Sequence, residues 1–139
     1  MKIKYLFLLL TMLCLKAAAQ SLSETELIGT WKITGVENIA KKLTKEQTTK
    51  IGPIIKSFLK AKIILKADYN FSLDVNNKEM KITNNHWKLN KKTGSVIVQQ
   101  WKDKNTDKSI IMEILTKTTN GQIVFFIDGM PLILLVTKE

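Results

Sequence analysis

After Ala61 the chain settles into a period of two and keeps it to the end. Phe71, Leu73 and Val75 alternate with Ser72 and Asp74, and the other runs are similarly short and end in turn-forming residues. That period puts successive side chains on opposite faces of a strand. The runs span residues 62–66, 71–75, 80–89, 96–101, 110–116, 122–127 and 132–138. Their connections are Ala67-Asp68, Asn76-Asn77, Asn90–Gly94, Lys102–Lys108, Asn120-Gly121 and Asp128-Gly129. Asn-Gly and Asp-Gly between apolar runs are strong hairpin signals, because both turn positions must accept a left-handed backbone. Met80 and Ile82 share a parity that Trp87 and Leu89 break, which predicts a bulge around Asn84-Asn85. An earlier strand runs from Leu27 to Val36, with Leu27, Gly29, Trp31 and Ile33 on one side and Thr30, Lys32 and Thr34 on the other. Eight short strands, seven of them consecutive, predict an all-β fold with one helical segment: an up-and-down antiparallel eight-stranded β-barrel. Closure removes the exposed edges that such a meander would otherwise carry.

The helical segment lies at about 44–60. Thr44 and Gln47 have the spacing of a capping box, as do Ser21 with Glu24 and Ser23 with Glu26 at a short turn ahead of the first strand. Ile51, Ile54, Ile55, Phe58 and Leu59 recur at i, i+3, i+4, i+7 and i+8, which gathers them on one helical face. Gly52-Pro53 is expected to break the helix, since proline is best tolerated in a first turn. In a barrel this amphipathic segment is positioned to act as a lid.

The beginning of the chain reads as a cleavable signal peptide, residues 1–19. Lys2 and Lys4 precede an apolar stretch from Tyr5 to Leu15, too short for a membrane-spanning helix, which ends in Ala17-Ala18-Ala19. The domain is then residues 20–139, exported to the periplasm or the cell exterior and not integral to a membrane. The lone cysteine, Cys14, falls in the apolar stretch, behind Met12-Leu13 rather than the small residue that lipidation requires. No disulfide can staple the remainder, so packing and backbone hydrogen bonds must hold it.

All 22 basic residues are lysine, against 12 acids; losing Lys2, Lys4 and Lys16 lowers the formal charge from +10 to +7. Nucleic-acid recognition is not expected, because arginine's bidentate fork is missing and the lysines are dispersed. The single histidine, His86, has no second histidine or cysteine in residues 20–139, so no metal or other cofactor is expected. No nucleophile elbow or phosphate-cradling glycine loop is present. Asp74 and Glu113 alternate with apolar neighbours, and would form an acid/base pair only if both pointed inward. Pointing outward is the expectation, and with it a protein that is not an enzyme.

The first strand reads Leu27-Ile28-Gly29-Thr30-Trp31-Lys32. This resembles the Gly-x-Trp motif that opens the first strand of lipocalins, and the Leu-x-Gly-Thr-Trp form of small exported bacterial lipocalin-like domains. A helical segment after the first strand, a strand-turn-strand at Leu65–Phe71, a second tryptophan strand at Trp87-Lys88-Leu89 and late hairpins extend the likeness over residues 20–139. The resemblance implies a lipocalin-like barrel sealed at one end by Gly29 and Trp31. In lipocalins an arginine near the last strand stacks on that tryptophan; this chain has no arginine, and Lys138 stands where a cation–π contact is required.

Two functions remain open at this point. In the first, the barrel is hollow and binds a small hydrophobic or amphipathic molecule against Phe71, Leu73, Trp87, Val98, Met112, Phe125 and Leu134, the residues of inward parity. In the second, aromatic side chains fill the barrel, and strands apolar on both faces (Ile63–Leu65, Val124–Ile127, Leu132–Val136) or the Ile54/Phe58 stripe serve a protein partner as an interaction or inhibitor module.

Overall fold

The structure, a computed structural model, describes residues 22–39 and 44–139; the expected signal peptide, its cleavage site, Cys14 and the Ser21 cap lie outside them. Eight antiparallel strands close into one up-and-down barrel in which each strand pairs with its sequence neighbours and the last pairs with the first. They are β1 (Gly29–Asn38), β2 (Lys62–Leu65), β3 (Asn70–Asp74), β4 (Ile82–Leu89), β5 (Val96–Gln99), β6 (Ile110–Thr119), β7 (Gln122–Ile127) and β8 (Leu132–Lys138). A single helical turn, α1 (Glu24–Leu27), precedes β1, and α2 (Lys45–Phe58) joins β1 to β2.

The closing seam pairs Trp31 with Lys138, Ile33 with Val136, Val36 with Leu134 and Asn38 with Leu132. A bulge between Ile33 and Gly35 resets the parity of β1, so Val36 follows Trp31 and Ile33 onto the inner face. The bulge expected near Asn84-Asn85 is present where Phe71 pairs with Asn85 but Leu73 with Ile82, and Asn84 takes a left-handed φ of 55°. Asn120 and Gly121, at φ 51° and 75°, form the two-residue hairpin turn their sequence demands.

Several expected bounds move; β4 begins at Ile82 rather than Met80, β6 runs on to Thr119 and β1 to Asn38. Leu27 belongs to α1 rather than to the first strand, and its carbonyl accepts a hydrogen bond from Trp31 Nε1 at 2.8 Å. α2 runs unbroken through Gly52-Pro53, both of which lie on its exposed side, where a missing main-chain donor is tolerated. Trp101 is not on a strand; β5 stops at Gln99 and Trp101 begins a 3₁₀ turn that ends at Asp103.

The core is the barrel interior. Trp31, Ile33, Ile63, Leu65, Phe71, Leu73, Trp87, Phe125, Leu132 and Leu134 are essentially inaccessible, and Phe58 of α2 joins the same cluster. Burying one such side chain contributes about 1.5–3 kcal/mol, so several together outweigh the ordering of short strands. Among the described residues no helix is long and apolar enough to cross a membrane.

Candidate functional site

Alternation carries the proposed lining residues to the inner face. Leu73 stands beside Ile63, Trp87 beside Val98, Val98 beside Met112 and Phe125 beside Leu134 in adjacent strands. Phe71, Leu73, Trp87, Val98, Phe125 and Leu134 are wholly buried, and Met112 is half-buried. A ligand-sized void walled by these side chains would leave part of their surface free, so at their level the barrel is filled.

The filling is organised around two tryptophans. Trp31 packs on Phe125 with ring centroids 5.2 Å apart, and Lys138 Nζ lies 5.5 Å from the Trp31 centroid while donating to the Glu26 carbonyl at 2.8 Å. Gly29 stands directly under the Lys138 stem. Trp87 donates from Nε1 to the Lys66 carbonyl at 2.9 Å and packs against Tyr69 at 5.4 Å. This end of the barrel is sealed by aromatic surface and by the cation over it.

Space opens at the other end. A cavity of about 290 Å³ lies between α2 and the β7–β8 turn, lined by Gln47, Lys50, Ile51 and Ile54 on one side and Gly129, Met130, Pro131 and Leu132 on the other. The helix is held at its start by a complete capping box: Thr44 Oγ1 accepts from Gln47 N–H at 3.2 Å and Gln47 Oε1 accepts from Thr44 N–H at 3.0 Å. Ile51, Ile54 and Ile55 are half-buried toward the barrel and Phe58 is buried. Leu59 departs from the expected stripe: it lies past the last helical turn and is 43% exposed, because the extended backbone at the cap turns it away. Lys50 at the rim is ion-paired with Glu46 at 3.0 Å. Apolar walls with one amide and one ammonium at the edge suit an amphipathic molecule.

Parity had pointed to the strands, and so missed Gln47, Lys50, Met130 and Pro131. The signal that finds them is topological. In an eight-stranded meander the β1–α2–β2 connection and the β7–β8 turn emerge at the same end.

The polar candidates do not converge. Asp74 faces out and pairs with Lys81 at 3.0 Å. Glu113, on the outer face beside Ile97, accepts a 2.6 Å hydrogen bond from the buried Ser95 hydroxyl. His86 is also on the outer face, between Asn70 and Gln99, but only 8% exposed because Trp101 folds over it edge-on at 4.8 Å. Burial, followed by the like charges of Lys104 and Lys88, pushes the His86 imidazole below its ordinary value. Among the described residues no group of three or more His, Cys, Asp or Glu side chains is arranged to hold a metal.

These features define an eight-stranded up-and-down β-barrel with one sealed end and a helix-covered apolar mouth. No family model, curated protein or solved structure matches the chain.

Proposed function

We propose that the protein is a lipocalin-like binding protein that carries a small hydrophobic or amphipathic molecule at the mouth of its barrel, beneath α2, rather than deep among the strands. The observation that carries this reading is the apolar cavity between Ile51, Ile54 and Met130–Leu132. At about 290 Å³ it stands at the lower end of the range for ligand pockets, roughly 300–1,000 Å³, and therefore fits a short chain or a single ring system. The Lys2/Lys4, Tyr5–Leu15 and Ala17–Ala19 pattern supports export, so the ligand is sought in the periplasm or outside the cell. In this reading the ligand is held, not transformed.

The experiment is a titration of the isotopically labelled protein with decanoate, followed by amide resonances. Saturable shifts confined to α2 and residues 128–132 are expected, with affinity weakened roughly tenfold in Ile54→Gln, the change expected for losing about 1.4 kcal/mol of apolar contact. Shifts equally large in Ile54→Gln, or none in either protein, would overturn it. A second reading, an interaction or inhibitor module, draws support from the filled interior and from the outward row Leu115, Phe126 and Ile133, adjacent across β6–β8 with Leu115 40% exposed. It predicts no decanoate response and a retained protein partner lost on Leu115→Asp.

A further inference from the structure

The β5–β6 connection is a strap fastened from below. Gln99, wholly buried, donates from Nε2 to the carbonyls of Asp103 at 2.7 Å, Thr106 at 3.1 Å and Lys108 at 3.0 Å. Lys88 Nζ donates to the carbonyls of Thr106 at 2.9 Å and Lys104 at 3.3 Å. The two N–H groups of the Gln99 amide, shared among three carbonyls, and the Lys88 ammonium thus press the segment onto the outer face of β4 and β5. Its shape is therefore set by the barrel and not by anything it might meet.

This strap displays apolar surface where a strand ladder would hide it. Trp101 has one edge on His86 and is 38% exposed. Val98 pairs with Met112 but Gln99 with Ile110, so Ile111 is the extra residue of a bulge. The normal alternation fails there, and Ile110 and Ile111 are both 45% exposed. None of the three belongs to the buried core. Exposed lysines 102, 104 and 108 stand between them in sequence, with Asp103 and Asp107 the only acids of the strap. A polar groove of about 440 Å³ beside it is lined by Lys88, Lys91, Lys92 and Asp107.

We propose that this strap docks the barrel on an anionic lipid bilayer surface. Trp101, Ile110 and Ile111 enter the boundary between head groups and acyl chains, while Lys102, Lys104 and Lys108 meet the lipid phosphates. Indole rings favour that boundary, and lysines near a negative leaflet are attracted to it within a Debye length. A second copy of the chain is disfavoured as the occupant, because the same lysines would face each other on two cationic molecules.

The test uses the tryptophan emission of the full chain with vesicles. Trp31 and Trp87 are already buried, so a change on lipid addition reports Trp101. Vesicles of phosphatidylcholine with about 30 mol % phosphatidylglycerol are expected to shift the emission to the blue, and pure phosphatidylcholine is not. Raising the salt to about 0.5 M should reverse the shift by shortening the screening length. The Ile110→Ser/Ile111→Ser and Lys102→Gln/Lys104→Gln/Lys108→Gln variants keep residues 1–19 unchanged, so any difference from the parent is assigned to the strap. Each should weaken binding to the anionic vesicles about tenfold while leaving the thermal midpoint unchanged. The proposal fails if the emission does not move, if it moves equally on neutral lipid, or if either variant binds as the parent does. It fails too if the shift appears with rising protein concentration alone, which would assign the patch to self-association.

Discussion

Gly29 has a backbone φ of +145°, and a Cβ placed there would stand 2.6 Å from Lys138 Cε. Gly29→Ala therefore combines a strained backbone with displacement of the cation from Trp31, and is expected to cost about 1–3 kcal/mol in urea unfolding. Gly121→Ala is the comparison: its φ is +75° but nothing lies within 4 Å, so only the conformational cost of about 1–2 kcal/mol remains. His86 gives a pH signature. Its folded value lies below the unfolded 6.5, so between the two the unfolded chain holds the extra proton and stability rises with pH. The stabilisation is complete above pH 6.5 and declines as the pH falls toward the lowered folded value. Denaturation midpoints between about pH 5 and 7 should show this slope, and His86→Gln should remove it. Inward parity was readable at this scale for Phe71 and Trp87, because alternation is a local property. The burial of His86 was not, since it depends on where Trp101 goes after its strand has ended.

At the scale of elements, α2 tolerates a proline in its ninth position, where Pro53 leaves the Thr49 carbonyl without its helical donor. Pro53→Ala should restore that bond and raise stability by roughly 1–3 kcal/mol, measured as a rise in the unfolding midpoint. The start of α2 was legible in Thr44 and Gln47, whose reciprocal bonds need only four consecutive residues. Its continuity through Gly52-Pro53 was not, because a proline breaks or spares a helix according to what surrounds the freed carbonyl. The strap was hidden for a related reason. Gln99 read as one more strand residue, and nothing local revealed that its amide would gather three carbonyls from residues 103–108.

For the molecule as a whole, the barrel depends on the seam between β1 and β8. Removing residues 132–139 deletes the buried Leu132, Leu134 and Val136, and leaves β1 and β7 with open edges. The shortened chain should show no cooperative unfolding transition and no near-ultraviolet dichroism. Closure itself was legible, since an even number of antiparallel neighbours returns the last strand to the side of the first. The helix side of the mouth was legible in Ile51 and Ile54, but its far wall was not, because residues 129–132 become neighbours of residues 47–54 only when the ring is complete.

The seam also fixes a timetable. β1 leaves the ribosome early, yet its partner along one whole edge is the last strand, and the lock between Lys138 and the Glu26 carbonyl joins residues 112 positions apart. Until Lys138 has been synthesised, Trp31 has no lid and the first strand no second neighbour. The barrel therefore cannot close before its final strand exists.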